Sequence, residues 1–208
     1  MVSFNINCGS EYHSLFVFFV ILIWYFIPVY RKPMVISKMI SKEDCEYIIK
    51  EAESKLKPST VAKDRVLQEK TRKSETAWLN NNDPVVKRVI DKCLRMTDRP
   101  FSNCEQLQVL KYKPDWFYKP HQDAFKKDKN RRVHTFVIAL NDDYEGGETA
   151  FPHLNKKFKM EKGDVLFFDT LNNYNCITRK ALHGGNPVKS GEKWICNLWV
   201  HKYPFKNT

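Results

Sequence analysis

The sequence predicts an α+β domain whose sheets close on each other, preceded by a single N-terminal transmembrane helix. Three observations carry this expectation. An uninterrupted apolar and aromatic run occupies residues 15–30 and is closed by Arg31 and Lys32. Two stretches with helix-start chemistry and apolar positions at helical spacing follow, at 41–56 and 83–94. From Glu105 onward the pattern changes to short β-branched and aromatic runs separated by Gly, Pro, Asn and Asp. Helices first and many short strands afterwards is the order of an α+β fold. With 208 residues there is room for one ordinary domain and a short appendage, here residues 34–208 and 1–33.

The apolar run has sixteen residues, short for a hydrocarbon core of about 30 Å at about 1.5 Å per residue. Adding Tyr12, His13 and Ser14 makes an uncharged stretch of nineteen, residues 12–30, long enough to span with aromatic anchors at its ends. A cleaved signal peptide is the rival reading, but no Lys or Arg precedes the run and no A-x-A-like site follows it. The positive flank lies C-terminal to the run, against Glu11 on the other side, and would leave the domain in the cytoplasm.

Ser41-Lys42-Glu43-Asp44 has the pattern of a capped helix start, and Cys45, Ile48, Ile49, Ala52 and Leu56 then fall on one apolar face before Pro58. Asp83-Pro84 opens a second helix, with Asp as N-cap and Pro at the first helical position. Its face is Val85, Val86, Val89, Ile90, Cys93 and Leu94. Residues 58–82 between them are polar and read as loop with short strands. Strands are expected at 107–112, 133–140, 149–151, 165–168 and 194–200. The basic stretch 126–132, KKDKNRR, reads as a mobile lid.

A formal net charge of +11 favours acidic partners such as an anionic membrane or acidic protein segments. Nucleic acid is not expected, because no basic run is paired with stacking aromatics in a recognisable module. The six cysteines show no C-x-x-C and no zinc spacing. Five fall in the domain, and an odd number does not read as a fully paired disulfide framework. No N-x-S/T sequon is present, so nothing marks a secretory history.

His121-Gln122-Asp123, answered by His183, carries the chemistry. Two imidazoles and one carboxylate make the facial triad of a non-haem Fe(II) oxygenase, which leaves positions open for a co-substrate and O₂. Lys193, ten residues after His183, is placed to hold the far carboxylate of a keto-diacid that chelates the metal. His134, His153 and His201 read as structural or surface histidines.

The chain resembles the prolyl 4-hydroxylases of the Fe(II)/2-oxoglutarate oxygenase superfamily over about residues 73–201. Arg72-Lys73-Ser74, Glu105-Gln106-Leu107-Gln108-Val109 with Tyr112, and Tyr118-Lys119-Pro120-His121-Gln122-Asp123 carry the resemblance. So do the segment from Gly146-Gly147-Glu148-Thr149 to Pro152, Lys162-Gly163-Asp164, and the run from His183-Gly184-Gly185 through Lys193-Trp194 to Trp199. It implies a double-stranded β-helix (jelly-roll) core at 105–202, buttressed by the N-terminal helices. It implies Fe(II) on His121, Asp123 and His183, with 2-oxoglutarate on Lys193, Tyr112 and Thr149. O₂ and L-ascorbate complete the implied cofactor set. The implied substrate is a proline-containing peptide or protein, contacted by Tyr118, Arg132 and Trp199, with release of succinate and CO₂. Two departures stand out: Lys113-Pro114-Asp115-Trp116 lacks the usual glycine of the run before His121, and Asn186 precedes Pro187.

Anchored members of this family usually face the lumen of the endoplasmic reticulum, so the resemblance and the charge rule disagree on topology. Another 2-oxoglutarate oxygenase specificity, on lysine or a nucleobase, and a silent peptide-binding module are the alternative functions. Lys193, where those other oxygenases typically use Arg, favours the prolyl branch.

Overall fold

The structure, a computed structural model, describes residues 16–19, 26–60 and 70–206. Residues 12–15 and 20–25 of the stretch expected to span a membrane therefore lie outside the described residues. Among those described, no helix is long and apolar enough to cross a membrane.

Two helices form where the sequence places them. Helix α1 (Lys42–Glu53) begins at Ser41, whose hydroxyl accepts from the Asp44 amide, with Glu43 and Asp44 in the first turn against the positive end of the helix dipole. Helix α2 (Pro84–Leu94) begins at Asp83, whose carboxylate accepts from the amides of Val85 and Val86. Their apolar faces, Cys45, Ile48 and Ala52 on α1 and Val86, Val89, Ile90 and Cys93 on α2, are buried in one core. Burying each large aliphatic side chain contributes about 1.5–3 kcal/mol.

Among the described residues, thirteen strands form three sheets. They are β1 (Met34–Ile36), β2 (Lys57–Pro58), β3 (Glu75–Leu79), β4 (Leu107–Tyr112), β5 (Tyr118–His121), β6 (Arg132–Ala139) and β7 (Glu145–Gly146), then β8 (Thr149–Phe151), β9 (Lys156–Phe158), β10 (Val165–Asp169), β11 (His183–Gly185), β12 (Val188–Ser190) and β13 (Lys193–His201). The larger sheet runs β1-β10-β6-β13-β4-β3-β2 and the smaller β5-β11-β8-β9, with β12-β7 as a separate pair. All named pairings are antiparallel. Two antiparallel sheets of this order are the jelly roll.

The central strand β13 shows how the sheet divides the molecule. Trp194, Cys196, Leu198 and Val200 pack into the core under the helices, while Ile195 packs inside the barrel with Leu110, Val137 and Phe168. With alternate side chains on opposite faces, Lys193, Asn197, Trp199 and His201 share the barrel side with Ile195.

The five strands expected from hydrophobic pattern are present, β3 falls in the stretch read as loop with short strands, and most of the others were not expected. The latter are too short or too polar to show a period: β5 is Tyr-Lys-Pro-His and β11 is His-Gly-Gly. The expected lid also ends earlier than its composition suggests. Arg132 belongs to β6 and is tied to Glu105, so the loop it was grouped with stops at Arg131.

The missing glycine has a local replacement. Asp115 takes the left-handed conformation at φ 65°, and its amide donates to the Val188 carbonyl at 2.8 Å. Asp adopts that region more readily than most residues with a side chain, so the turn between β4 and β5 survives without Gly.

Candidate metal centre

Strand pairing, rather than sequence proximity, assembles the centre. His183 on β11 lies directly opposite His121 on β5 in the antiparallel register, and Asp123 follows β5 by two residues. The two strands approach closely because residue 184 is Gly. A Cβ there would lie 2.7 Å from the Tyr118 carbonyl oxygen and 2.9 Å from the Pro120 nitrogen.

The three side chains converge, with one potential ligand atom from each lying within 4.8 Å of the others. Nε2 of His121 is 3.6 Å from one Asp123 oxygen, and Nε2 of His183 is 3.6 Å from the other. The opposite ring nitrogens are occupied: Nδ1 of His121 donates to the Lys119 carbonyl at 2.9 Å and Nδ1 of His183 to the Ala181 carbonyl at 3.0 Å. A carbonyl can only accept, so both Nε2 lone pairs are free to face the common centre. Asp123 is aimed by the Thr135 hydroxyl, which donates to it at 2.7 Å. Tyr118 stacks on His121 at 3.7 Å between centroids, and Phe168 and Phe151 hold His183 at 4.6 and 5.5 Å.

Electrostatics supply the protonation states that metal ligands need. Burial pushes the His183 imidazole down to about 4, so it is neutral at pH 7. Burial would raise the Asp123 carboxyl, but the neighbouring His183, His121 and Arg132 outweigh it and hold the group well below the usual carboxylate range. Two imidazoles and one carboxylate, all buried or half-buried, form the donor set that suits Fe(II).

Lys193 lies along the inner wall, opposite Tyr112 in the β13–β4 register, with its ammonium 5.5 Å from the Tyr112 ring. It is 3% exposed, yet its one hydrogen bond is to the Gly147 carbonyl, at 2.6 Å. Among the described residues no carboxylate pairs with it. Burial, and then the charge of Lys159, push this ammonium down to about 8. The Tyr112 hydroxyl bonds with Ser74 and Arg72, and Thr149 is buried where β8 meets Gly185 of β11. A buried cation without a counter-ion fits the carboxylate of a bound acid.

The expected substrate residues lie toward the other end of β13. Trp199 is the cross-strand partner of Thr135, the residue whose hydroxyl donates to Asp123. The Arg132 guanidinium stacks on Trp199 at 3.7 Å and donates twice to Glu105. Arg131 turns away, toward the carbonyls of Asn175 and Lys126.

Two participants were not among the expected site residues. Glu105 is buried, binds Arg132, and accepts from His201 at 2.7 Å. Arg72 lies over the Tyr118 ring at 4.8 Å, with Nε donating to Ser74. Nη2 of Arg72 and Nε1 of Trp199 are buried donors with no partner among the described residues. Glu105 and Arg72 both stand in segments that carry the family resemblance, Glu105 as a lone acid at the head of an apolar strand. His134 and His201 are structural, as expected, held by Asp169 and Glu105 respectively.

Comparisons with known proteins agree with this geometry. A family profile described as the 2OG-Fe(II) oxygenase superfamily matches residues 107–201. A putative prolyl 4-hydroxylase of Acanthamoeba polyphaga mimivirus is 37% identical over 187 residues, covering 85% of this chain and 76% of that one. Prolyl 4-hydroxylase 1 of Arabidopsis thaliana is 31% identical, covering 81% and 68%. Among solved structures, the viral collagen prolyl hydroxylase of Paramecium Bursaria Chlorella virus-1, in its 2-oxoglutarate complex, superimposes with a TM-score of 0.69 at 30% identity, over 83% of this chain and 97% of that one. A Trichoplax adhaerens prolyl hydroxylase, bound to a fragment of the hypoxia-inducible factor oxygen degradation domain, shares the fold at 17% identity and a TM-score of 0.61.

Proposed function

The chain belongs to the prolyl 4-hydroxylase family of the Fe(II)/2-oxoglutarate oxygenases, and from that membership we propose the residues through which it hydroxylates proline in peptide or protein substrates. His121, Asp123 and His183 hold the iron. Bound together, iron, 2-oxoglutarate and O₂ supply the oxidation that places a hydroxyl on proline and turns the keto acid into succinate and CO₂. Lys193 pairs with the distal carboxylate of 2-oxoglutarate, with Tyr112 and Thr149 beside it. The observation that carries this reading is the Lys193 ammonium, buried with no carboxylate paired to it among the described residues.

Tyr118 and Trp199 wall a slot for the pyrrolidine ring, and Arg132, locked by Glu105, fixes the Trp199 ring. The unpartnered donors of Trp199 and Arg72 are matched to acceptors that a peptide backbone provides. The net charge of +11 favours substrates with acidic flanks. L-ascorbate, implied by the family resemblance, completes the cofactor set.

Residues 1–33 form a single-pass anchor and 34–208 the catalytic domain, on the length and apolar character of residues 12–30. The endoplasmic reticulum is the membrane we assign, by family resemblance. The side is decided by protease protection of sealed microsomes: domain digested for a cytoplasmic orientation, protected for a lumenal one.

The function is tested by incubating the full chain in detergent with Fe(II), 2-oxoglutarate and three substrates. These are a proline-rich peptide, a lysine-containing peptide lacking proline, and methylated single-stranded DNA. An oxygen added to proline alone is the expected result. Turnover with DNA or lysine alone overturns the substrate assignment.

A further inference from the structure

The apolar run joins the domain with almost no slack. Tyr30, its last residue, is itself buried, and its hydroxyl donates to the Asp169 carbonyl at 2.9 Å. Val29 exchanges two hydrogen bonds with Asn173, at 2.8 and 3.0 Å. Arg31 makes two bonds to the Asp169 carboxylate, at 2.8 and 2.7 Å, and lies over Phe167 at 4.7 Å. Only residues 31–33 separate Tyr30 from β1, a reach of roughly 10 Å. Whatever surface surrounds residue 30 must therefore lie close to whatever holds the run.

That surface is basic and carries exposed aromatics. On one side of the exit is a cleft of about 340 Å³ lined by Arg31, Arg95, Asp98 and His134, with Arg31 and His134 both paired to Asp169. On the other, the turn that binds Val29 presents Tyr174, 43% exposed. Arg131 donates to the Asn175 carbonyl of that turn and so joins it to the 125–130 loop. There Phe125 is 45% exposed, beside the exposed Lys126, Lys127 and Lys129. Aromatic rings amid lysines and arginines suit a headgroup region: the rings enter the interface and the cations meet anionic lipid.

We propose that this face, formed by the 125–131 loop, the 172–176 turn and the Arg31–Arg95 cleft, lies flat on an anionic lipid bilayer. The inference rests on the membrane-anchor reading and adds to it the orientation of the catalytic domain. It also reassigns the basic loop, from a lid over peptide to a lipid contact. The same turn adjoins the metal site, since Gln122 donates to the Thr178 carbonyl at 3.0 Å and Leu171 and Ile177 pack with Ala124. A domain held this way hydroxylates protein segments that run along the membrane surface.

Hydrogen–deuterium exchange on the full chain separates the possibilities. The chain is placed in detergent, in phosphatidylcholine vesicles, and in vesicles with about a third phosphatidylserine, and flotation is scored alongside exchange. Flotation with both vesicles is expected, with exchange at 125–131 and 172–176 slowed several-fold only on the anionic ones. Lys127→Glu combined with Lys129→Glu should abolish the slowing and leave flotation unchanged. A chain that does not float overturns the anchor reading and this one with it. A chain that floats but exchanges as in detergent overturns the orientation alone, and equal slowing on both vesicles overturns the anionic preference. Slowing by polyglutamate in detergent, without slowing on vesicles, assigns the face to an acidic protein instead.

Discussion

His121, Asp123 and His183 each contribute one donor to a shared centre, so replacing any of them by Ala should abolish substrate-dependent consumption of 2-oxoglutarate. His183→Ala with full activity would remove the triad assignment. Lys193 acts on the co-substrate instead. Removing a buried charge partner costs about 3 kcal/mol, so Lys193→Ala should raise the KM for 2-oxoglutarate on the order of 10²-fold. Lys193→Arg keeps the charge and should restore part of it. The pH dependence has a definite sign. Burial pushes the ammonium down to about 8, and a bound carboxylate favours its charged form. The KM for 2-oxoglutarate should therefore be flat below about pH 7.5 and rise above about 8, by up to tenfold per unit. The arginine variant should stay flat through that range, and a flat wild-type profile to pH 9.5 would show that Lys193 does not carry the pairing charge.

At the scale of elements, two backbone positions govern how the site is built. Gly184→Ala introduces a Cβ that meets backbone atoms of β5 at 2.7–3.0 Å. Neither strand can yield without moving His183 relative to His121, so metal affinity should fall more than thermal stability does, read by iron content against the melting curve. Asp115 offers the complementary test. A β-branched side chain is strained at φ 65°, so Asp115→Val should destabilise by about 1–2 kcal/mol, while Asp115→Gly should cost nothing measurable. Equal effects from both would mean that the turn does not depend on its left-handed residue. The sequence reading identified both helices through their caps and apolar faces. It missed β5 and β11, the strands that bring the ligands together. Their positions are taken up by Pro, Gly and His that serve the site, leaving no hydrophobic period to read.

For the whole molecule, metal binding should be coupled to stability, because the three donors converge only in the fold. Fe(II) added anaerobically at about a hundredfold its Kd should contribute about 2.7 kcal/mol, equivalent to a rise in Tm of roughly 5–10 °C for a domain of this size. His183→Ala should show no such rise. A wild-type chain with no shift, yet with bound iron, would mean that the ligands already converge in the unfolded state.

Local chemistry was enough to predict the two helices, the five patterned strands and the grouping of His121, Asp123 and His183. Caps, periodicity and a His-x-Asp pair act over a few residues and survive as text. The tertiary structure decided what depends on strand pairing. It set the opposition of His121 and His183 across β5 and β11, and the isolation of the Lys193 charge. It also closed Glu105 on Arg132, and brought the exit of residue 30 beside the turn that flanks the metal site. These contacts join residues tens of positions apart, and their energies come from burial and register, which no local window of sequence contains.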